Sequence, residues 1–455
     1  LPFRVQTSGE EEKQLGIGLA DALTADFGQI KQLAVRPSSA MRGYVDNPIE
    51  PQQAGAELGV EYIVSGTLQR NGESLRVSAR MLNTKDGGII WADRFDEQWQ
   101  NLAAMQNAIA ERALRALAIE LNSAQQLRLT KRATNNPEAY QLYIVGRYHW
   151  SRRTVAELQE GIKNFTLAIQ KDANFALAYA GLADCYALLN QYQSPPLADA
   201  YTKARENALQ TLRPDDSLAE AHASLAYVKF YADRDRNGAE QSFRRAIALN
   251  PSYATAHHWL AMILSAMGRH DDAIQAITQS QQLDPRSAII QAAAGTIFFY
   301  ARRYEEAIER CHKALELDAG LVPAYRVLRW TYEATNRYDD AVAAYQSEKS
   351  FSGDASSEWI VVLAQLRAIG GKPDEARTLL QEAATASWLK SQAYYQYYEI
   401  AVAYALLNDR DQALLWLAKA EAIKSLLFNF AAVDPRLDSL RNDARFAELL
   451  KKANL

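Results

Sequence analysis

Six histidines, two cysteines and a recurring set of acidic pairs are the side chains of this 455-residue sequence best suited to chemistry. A metal site needs ligands that converge, and on a helix that means spacings of three or four residues. His149, His222, His257, His258, His270 and His312 form no such pair, and the neighbours Cys311-His312 diverge on a helix. His222 and His257 occupy the same slot of two successive repeats, so packing explains them first, with pH sensing as the alternative use of an imidazole. Gly16-Ile-Gly18-Leu-Ala-Asp21 approaches a dinucleotide-binding loop, but an aspartate stands where the third glycine belongs and would repel a pyrophosphate. Ser65-Gly66 lacks the surroundings of a nucleophile elbow. The pairs Asp271-Asp272, Glu305-Glu306, Asp339-Asp340 and Asp374-Glu375 each directly precede a conspicuous alanine, a placement that opposes negative charge to the positive end of a helix. They read as helix starts rather than as catalytic carboxylates. No catalytic, metal-binding or cofactor-binding set is expected.

The elements that carry these residues follow from a period. Small residues at Gly161, Ala200, Ala239, Ala273, Ala307, Ala341, Ala376 and Ala413 recur at intervals of 39, 39, 34, 34, 34, 35 and 37 residues, each in the same local pattern. The cleanest copy runs from Ala254 to Ile277 and closes at Asp284-Pro285. Its apolar residues recur three and four apart in two blocks, which predicts two amphipathic helices joined by a turn at Met267-Gly268-Arg269-His270. Ala261 and Ala273 allow close approach, while Leu260, Leu264 and Ile277 fill the space between the helices. The same slots hold Gly295, Phe298, Ala307, Cys311 and Ala314 in the next copy, then Leu328, Tyr332, Ala341 and Tyr345.

This pattern resembles the tetratricopeptide repeat, and three consecutive units stand in register. Departures are Arg329 in a small-residue slot and Ala173 and Ala319 in place of the closing proline. The 39-residue intervals predict lengthened turns, one carrying Ser194-Pro195-Pro196.

Before Asn136 the period changes. A helix is expected over Glu10 to Ile30, a short strand over Lys31 to Arg36 and a helix over Glu50 to Leu58 opened by Pro51. Three strands follow, Val60 to Leu68, Leu75 to Leu82 and Ile89 to Phe95, with Asn71-Gly72 and Asp86-Gly87-Gly88 as the reversals. Alternation places Leu75, Val77, Ala79 and Met81 on a face that the helices must cover, and Arg76, Ser78 and Arg80 on the other. Asn101 to Leu121 is a long helix toward the repeats. The fold class is therefore an α+β amino-terminal domain, a mixed sheet with covering helices, followed by an all-α superhelix. The domains span 1–125 and 136–425, the latter with about eight helix pairs, and 426–455 caps the chain.

The segments Gly18 to Leu23, Leu58 to Leu68, Leu75 to Leu82 and Ile90 to Asp96 make the first domain similar to the FlgO-like or TolB amino-terminal-like domain. That resemblance extends to the closing Asp434-Pro-Arg-Leu-Asp-Ser-Leu-Arg-Asn-Asp-Ala-Arg-Phe446. Such domains precede tetratricopeptide repeats in the extracytoplasmic halves of CadC-type regulators and in some class III adenylyl cyclases and serine/threonine kinases. The resemblance implies a non-enzymatic, protein-binding sensory or scaffold ectodomain of a bacterial signalling or transcription regulator. The alternatives are the regulatory half of a cyclase or kinase, or a stand-alone envelope assembly factor. It also implies a membrane-linked effector domain amino-terminal to Leu1 and a periplasmic location, with the cytoplasm as the alternative.

Composition sets the outer bounds. A hydrophobic content of 48% supports at least two cores, and a net charge of −4 offers no basic field for nucleic acid. Two cysteines build no disulfide framework, and both read as small buried hydrophobes. No apolar run is long enough for a membrane span. The opening Leu1-Pro2-Phe3 reads as a cut in or just after a strand, as in a fragment of a longer protein.

In tetratricopeptide repeats the first helices line the concave groove. The resemblance carries that groove onto Tyr143, Arg147, Trp150, Tyr227, Phe230, His258, Met262, Phe299, Arg326, Trp330, Tyr395 and Tyr398. About half of these aromatics are expected to pack between repeats instead. A peptide or protein ligand in the groove is the expected partner, and homodimerisation stays open.

Overall fold

The computed structural model describes residues 1–5, 10–41, 43–46, 48–98, 101–119, 134–152, 154–192, 199–213, 216–352 and 359–455. The inserted turn at 194–196 lies outside them, whereas the helix expected to reach Leu121 ends already at Ala116, where Ala118 takes a left-handed φ of 52°. A four-stranded sheet comes first, in the order β1 (Arg4–Val5), β2 (Tyr62–Asn71), β3 (Ser74–Asn83), β4 (Ile89–Gln98). β1 runs parallel to β2 and the other pairs are antiparallel, so the sheet is mixed. Gly72 and Gly87 take the positive φ that the two reversals require. Leu75, Val77, Ala79 and Met81 are all buried. Helices α1 (Glu10–Gly28) and α4 (Leu102–Ala116) cover that face, with Leu15, Leu19, Leu23, Met105 and Ile109 in the same core. On the opposite face α3 (Pro51–Leu58) sets Ala54 and Leu58, together with Met41 and Tyr44, against Ile63 and Leu82. Beyond that contact it is polar, and Arg76 and Arg94 share Asp96. The short helix α2 (Gly43–Asp46) lies before α3.

Lys31 to Arg36 is not a strand, which corrects the sequence expectation. The backbone groups that would pair in a ladder are taken by the repeats. The Val35 N–H donates to Ser252 Oγ (3.1 Å), and that hydroxyl donates to the Leu33 carbonyl (3.2 Å). The Arg36 guanidinium donates to the carbonyls of Leu58 (2.8 Å) and Leu283 (3.2 Å). Apolar composition suggested a strand, but the Val35 N–H and the Leu33 carbonyl bond to a distant hydroxyl instead of a neighbouring strand.

Eight helix pairs follow among the described residues. They are α5 (Pro137–Ser151) with α6 (Val155–Lys171), α7 (Ala176–Tyr192) with α8 (Ala200–Leu212), α9 (Ala219–Val228) with α10 (Arg236–Leu249), and α11 (Ala254–Ala266) with α12 (His270–Leu283). Next come α13 (Ala288–Tyr300) with α14 (Tyr304–Leu317), α15 (Val322–Ala334) with α16 (Tyr338–Ser352), α17 (Trp359–Ile369) with α18 (Pro373–Thr385), and α19 (Leu389–Leu406) with α20 (Arg410–Ala422). All eight small-slot residues are buried in the second helix of their pair.

The turn between paired helices repeats as closely as the helices do. Gly268, Arg302, Asn336, Gly371 and Asn408 all adopt left-handed φ values, from 56° to 75°. In the central repeats the next N–H returns to the first helix, as from Arg303 to the Phe298 carbonyl (2.9 Å) and from Arg337 to the Tyr332 carbonyl (2.9 Å). The acidic pairs then fall in the first turn of the second helix. There an arginine of the turn clasps the second acid, as in Arg269 with Asp272 (2.6 Å) and Arg337 with Asp340 (2.8 Å). Where the closing proline is missing, Asp172 and Asp318 make the turn themselves, each accepting the N–H two residues on (3.0 Å). The equivalent positions 222, 257, 291 and 325 share one task. His222, His257 and Tyr325 each reach back to the carbonyl six residues earlier, at 2.8, 3.0 and 3.0 Å, and Gln291 approaches its own at 3.5 Å. Two of the six histidines are thus repeat fasteners.

The carboxy-terminal segment folds back over the first helices. Its turns Leu427–Phe430 and Pro435–Leu440 precede α21 (Ala444–Lys452). Phe430 stacks on Tyr300 (ring centroids 5.0 Å) and meets Phe230 edge-on (6.2 Å), while Asp438 pairs with Arg302 (2.5 Å). Asn454 donates to the Arg234 carbonyl (3.2 Å), which joins the chain end to the third repeat.

The close approach is measurable at Gly295, where an added Cβ would lie 2.5 Å from Cys311 Sγ. Gly295→Ala is expected to cost about 1–3 kcal/mol by overpacking. Gly295→Ala with Cys311→Ala should regain part of that loss, read as a partial recovery of the urea midpoint.

Candidate functional site: the cleft between the sheet domain and the repeats

The sheet domain docks on the first helices of the repeats through polar residues of α1 and of the segment after it. Asp21 interrupts an apolar stripe between Leu19 and Leu23 and is 3% exposed. It pairs with Arg147 of α5 (2.6 Å) and accepts a hydrogen bond from Ser38. Close contact makes this docking feasible, since the backbone of Ile144 lies against Gly18 where any side chain would collide. Ser39 donates to Asp284 (2.5 Å), and Arg286 reaches both Glu57 (2.7 Å) and the Tyr44 hydroxyl (3.1 Å). The domain therefore bridges the first repeat to the loops that open the fourth and fifth.

Between these contacts lies a cleft of about 650 Å³. Thr24, Ser39 and Tyr44 line one wall, and Arg147, Trp150, Glu220, His258 and Trp259 line the other. Its volume suits a ligand of small-molecule size or one or two side chains of a peptide. The charges within it are largely committed. Burial works against the Arg147 charge, but the adjacent Asp21 carboxylate outweighs it and holds the guanidinium well above its ordinary value. Asp26, one turn further along α1, behaves differently. Burial lifts its carboxyl to about 7 against the hydrogen bond from Gln106, and the charge of Glu220 pushes the same way.

The twelve groove positions read from the sequence separate into two groups. Tyr143, Arg147, Trp150, Tyr227, Phe230, Phe299, Trp330 and Tyr398 are buried, none more than 8% exposed. Tyr143 packs against Phe165 and Phe175 (5.9 and 5.3 Å), and Tyr227 against Trp259 (4.8 Å). Phe299 meets Trp330 (6.0 Å), whose ring carries the Arg436 guanidinium at 4.4 Å. The Tyr398 hydroxyl donates to Asp434 (2.9 Å). The sheet domain and the carboxy-terminal segment therefore cover much of the face that the repeat pattern alone would leave open. His258, Met262, Arg326 and Tyr395 keep accessible surface, and Arg326 pairs with Glu348 (2.8 Å). The cleft brings together Arg147, Trp150 and His258 from this set but not the rest.

Sequence reasoning missed Asp21, Ser39, Asp284 and Arg286. A charged residue inside the apolar stripe of α1 was the available signal for Asp21, which pattern reading noted only as an obstacle to phosphate.

Removing Asp21 leaves a buried guanidinium unpaired, so Asp21→Ala is expected to cost about 3–5 kcal/mol. Replacing the pair as Asp21→Leu with Arg147→Met should recover most of that in a denaturant titration. Asp26 sets a pH dependence. Its folded value lies above that of an unfolded carboxyl, so its protonated form favours the fold, and stability from this group is lost as pH rises from about 4 to about 7. Melting temperature should rise on acidification from pH 8 to 6, and Asp26→Asn should flatten that change.

Residues 230–296 match the tetratricopeptide repeat family. Among curated proteins, the putative adenylate cyclase 3 of Rhizobium meliloti is 26% identical over 229 residues, covering 50% of this chain and 39% of the relative. The transcriptional regulator HilA of Salmonella typhimurium is 23% identical over 255 residues, covering 56% of this chain and 44% of the relative. The chain thus spans less than half the length of these relatives. The crystal structure of MamA aligns over 38% of this chain and 94% of its own, at 24% identity and a TM-score of 0.28. The helix pairs from Phe230 to Thr296 are tetratricopeptide repeats, which serve as scaffolds for protein and peptide partners.

Proposed function

We propose that the chain is the protein-recognising part of a larger bacterial regulator and that its partner enters the cleft between the sheet domain and the repeats. One observation carries this reading: the first-helix face is covered by the chain's own segments near Arg147 and Trp330, whereas the cleft stays open and is lined by both domains. A ligand there touches α1 on one side and α11 on the other. Binding in that position changes the energetics of the contact between domains, which is what a sensory module must pass on. Arg147 and Trp150 line the cleft from α5, and His258 with Thr255 offers the accessible surface of α11.

The output domain lies outside this chain in this reading. The amino-terminal resemblance to FlgO-like domains favours an extracytoplasmic module of a transcription regulator, with HilA-type regulators among the relatives. The match to the Rhizobium meliloti cyclase favours the second reading, a regulatory half that controls nucleotide cyclisation elsewhere in its protein. Both assign the same task to the cleft.

The test substitutes α11 without touching the docking contacts. His258→Glu with Thr255→Glu should weaken binding of an identified protein partner at least tenfold, measured with the whole protein, at an unchanged melting temperature. Equal affinity in the variant would place recognition elsewhere.

A further inference from the structure

Four charges alternate before the second helix of the third repeat, Asp233-Arg234-Asp235-Arg236, and the fold sends the two signs to opposite sides. Asp233 faces outward to Arg205 through both oxygens (2.6 and 2.7 Å). Asp235 caps α10 by accepting the Gly238 N–H (2.9 Å). The two arginines turn toward the carboxy-terminal segment. A π-helical turn over Lys229–Asp233 and a left-handed Arg234 (φ 57°) produce this separation. Such turns interrupt the helical ladder and concentrate at functional sites.

Arg234 is 8% exposed, and only its Nη1 meets an acid, Glu421 at 3.2 Å. Its Nε and Nη2 are enclosed with no hydrogen-bond partner among the described residues, as is Nε of Arg236. Arg236 spends Nη2 on the Asn429 carbonyl (2.9 Å). On the facing segment, Ser425 Oγ and Asn429 Oδ1 are likewise enclosed and unpartnered, on residues 0% and 1% exposed. Glu421 also serves Lys452 (3.2 Å), and the Lys424 ammonium sits at the Ala232 carbonyl (3.2 Å). Among the described residues Glu421 thus pairs with Arg234 and Lys452, while Arg236 and Lys424 meet backbone carbonyls and no acid. Burial first, and then the charge of Arg234, pushes the Arg236 guanidinium down to about 10.

Enclosed donors of one sign call for a counter-ion, because a buried polar group without a partner is strongly disfavoured. We propose that the junction between residues 234–236 and 421–429 binds one monoprotonated phosphate ion. The guanidiniums and the Ser425 hydroxyl supply donors for its bare oxygens, and Asn429 Oδ1 accepts from its single O–H. Enclosure favours the free ion over an ester. The ion would clamp the carboxy-terminal segment to the third repeat and so link phosphate to closure of the superhelix.

The full chain is titrated with inorganic phosphate at pH 7 by calorimetry, and its melting temperature is followed in sodium phosphate, sulfate and chloride at matched ionic strength. Saturable binding is expected, with phosphate raising the melting temperature more than sulfate, which carries no proton to offer Asn429. Arg234→Met with Arg236→Met should abolish the phosphate dependence. Should that variant fail to fold, Ser425→Ala decides, with at least threefold weaker phosphate binding expected. Equal shifts in the three salts, absence of saturable heat, or unaltered phosphate binding in whichever variant is read would overturn the proposal and leave water alone in the junction.

Discussion

Arg436 has no exposed side-chain surface, and the shape of the superhelix depends on how that buried charge is satisfied. It pairs with Asp434 (2.8 Å) and Glu399 (3.3 Å), and its guanidinium lies over the Trp330 ring. Glu399 in turn accepts from Gln365 (2.7 Å), and Gln365 accepts from Arg329 (3.0 Å). Arg329 also pairs with Glu333 (2.7 Å) and Glu348 (2.9 Å). One chain of buried polar contacts thus runs from the carboxy-terminal segment through the last three repeats, with neutral Gln365 joining its charged ends. Replacing such a network wholesale with apolar groups is often neutral, but removing one member isolates a buried charge. The network therefore specifies a single position for the segment more than it adds to stability.

That fixed position has a consequence for recognition. With Phe430 on Tyr300 and Arg436 on Trp330, the late repeats present their first helices to their own chain. At the other end Asp21 and Arg147 do the same for the first repeat. The superhelix is braced from both termini, and the cleft of the proposed function lies beside the amino-terminal brace. The arginines of the third repeat sit where the carboxy-terminal brace lands, so anion binding and superhelix closure draw on the same contacts.

The repeat architecture was legible because it rests on local rules. A buried small residue every 34 to 39 positions, an acidic helix start and a left-handed turn are each visible in a short window. The sheet was legible for the same reason, since alternation over Leu75 to Met81 needs only its own strand. Three features were not. The segment 31–36 looked like a strand because nothing near it in sequence announces the Ser252 hydroxyl, 217 residues away from Val35. The groove positions fall on the first helices or, for Phe230, on the turn that follows one, but their coverage depends on segments distant in the chain. Arg329 stood out as a break in the small-residue pattern, and its partners Glu348 and Gln365 lie in two other helices. Long-range polar contacts have no period, which is why pattern reading passes over them.

Closure of the superhelix by the carboxy-terminal segment is the claim on which the rest turns. Spin labels at the exposed positions Asn237 and Lys451 report it directly, because both native cysteines are buried and burial keeps the Cys311 thiol protonated. Electron–electron distance measurement should give one short, narrow distribution, which Arg436→Ala broadens. A broad distribution in the unaltered chain would contradict a closed superhelix.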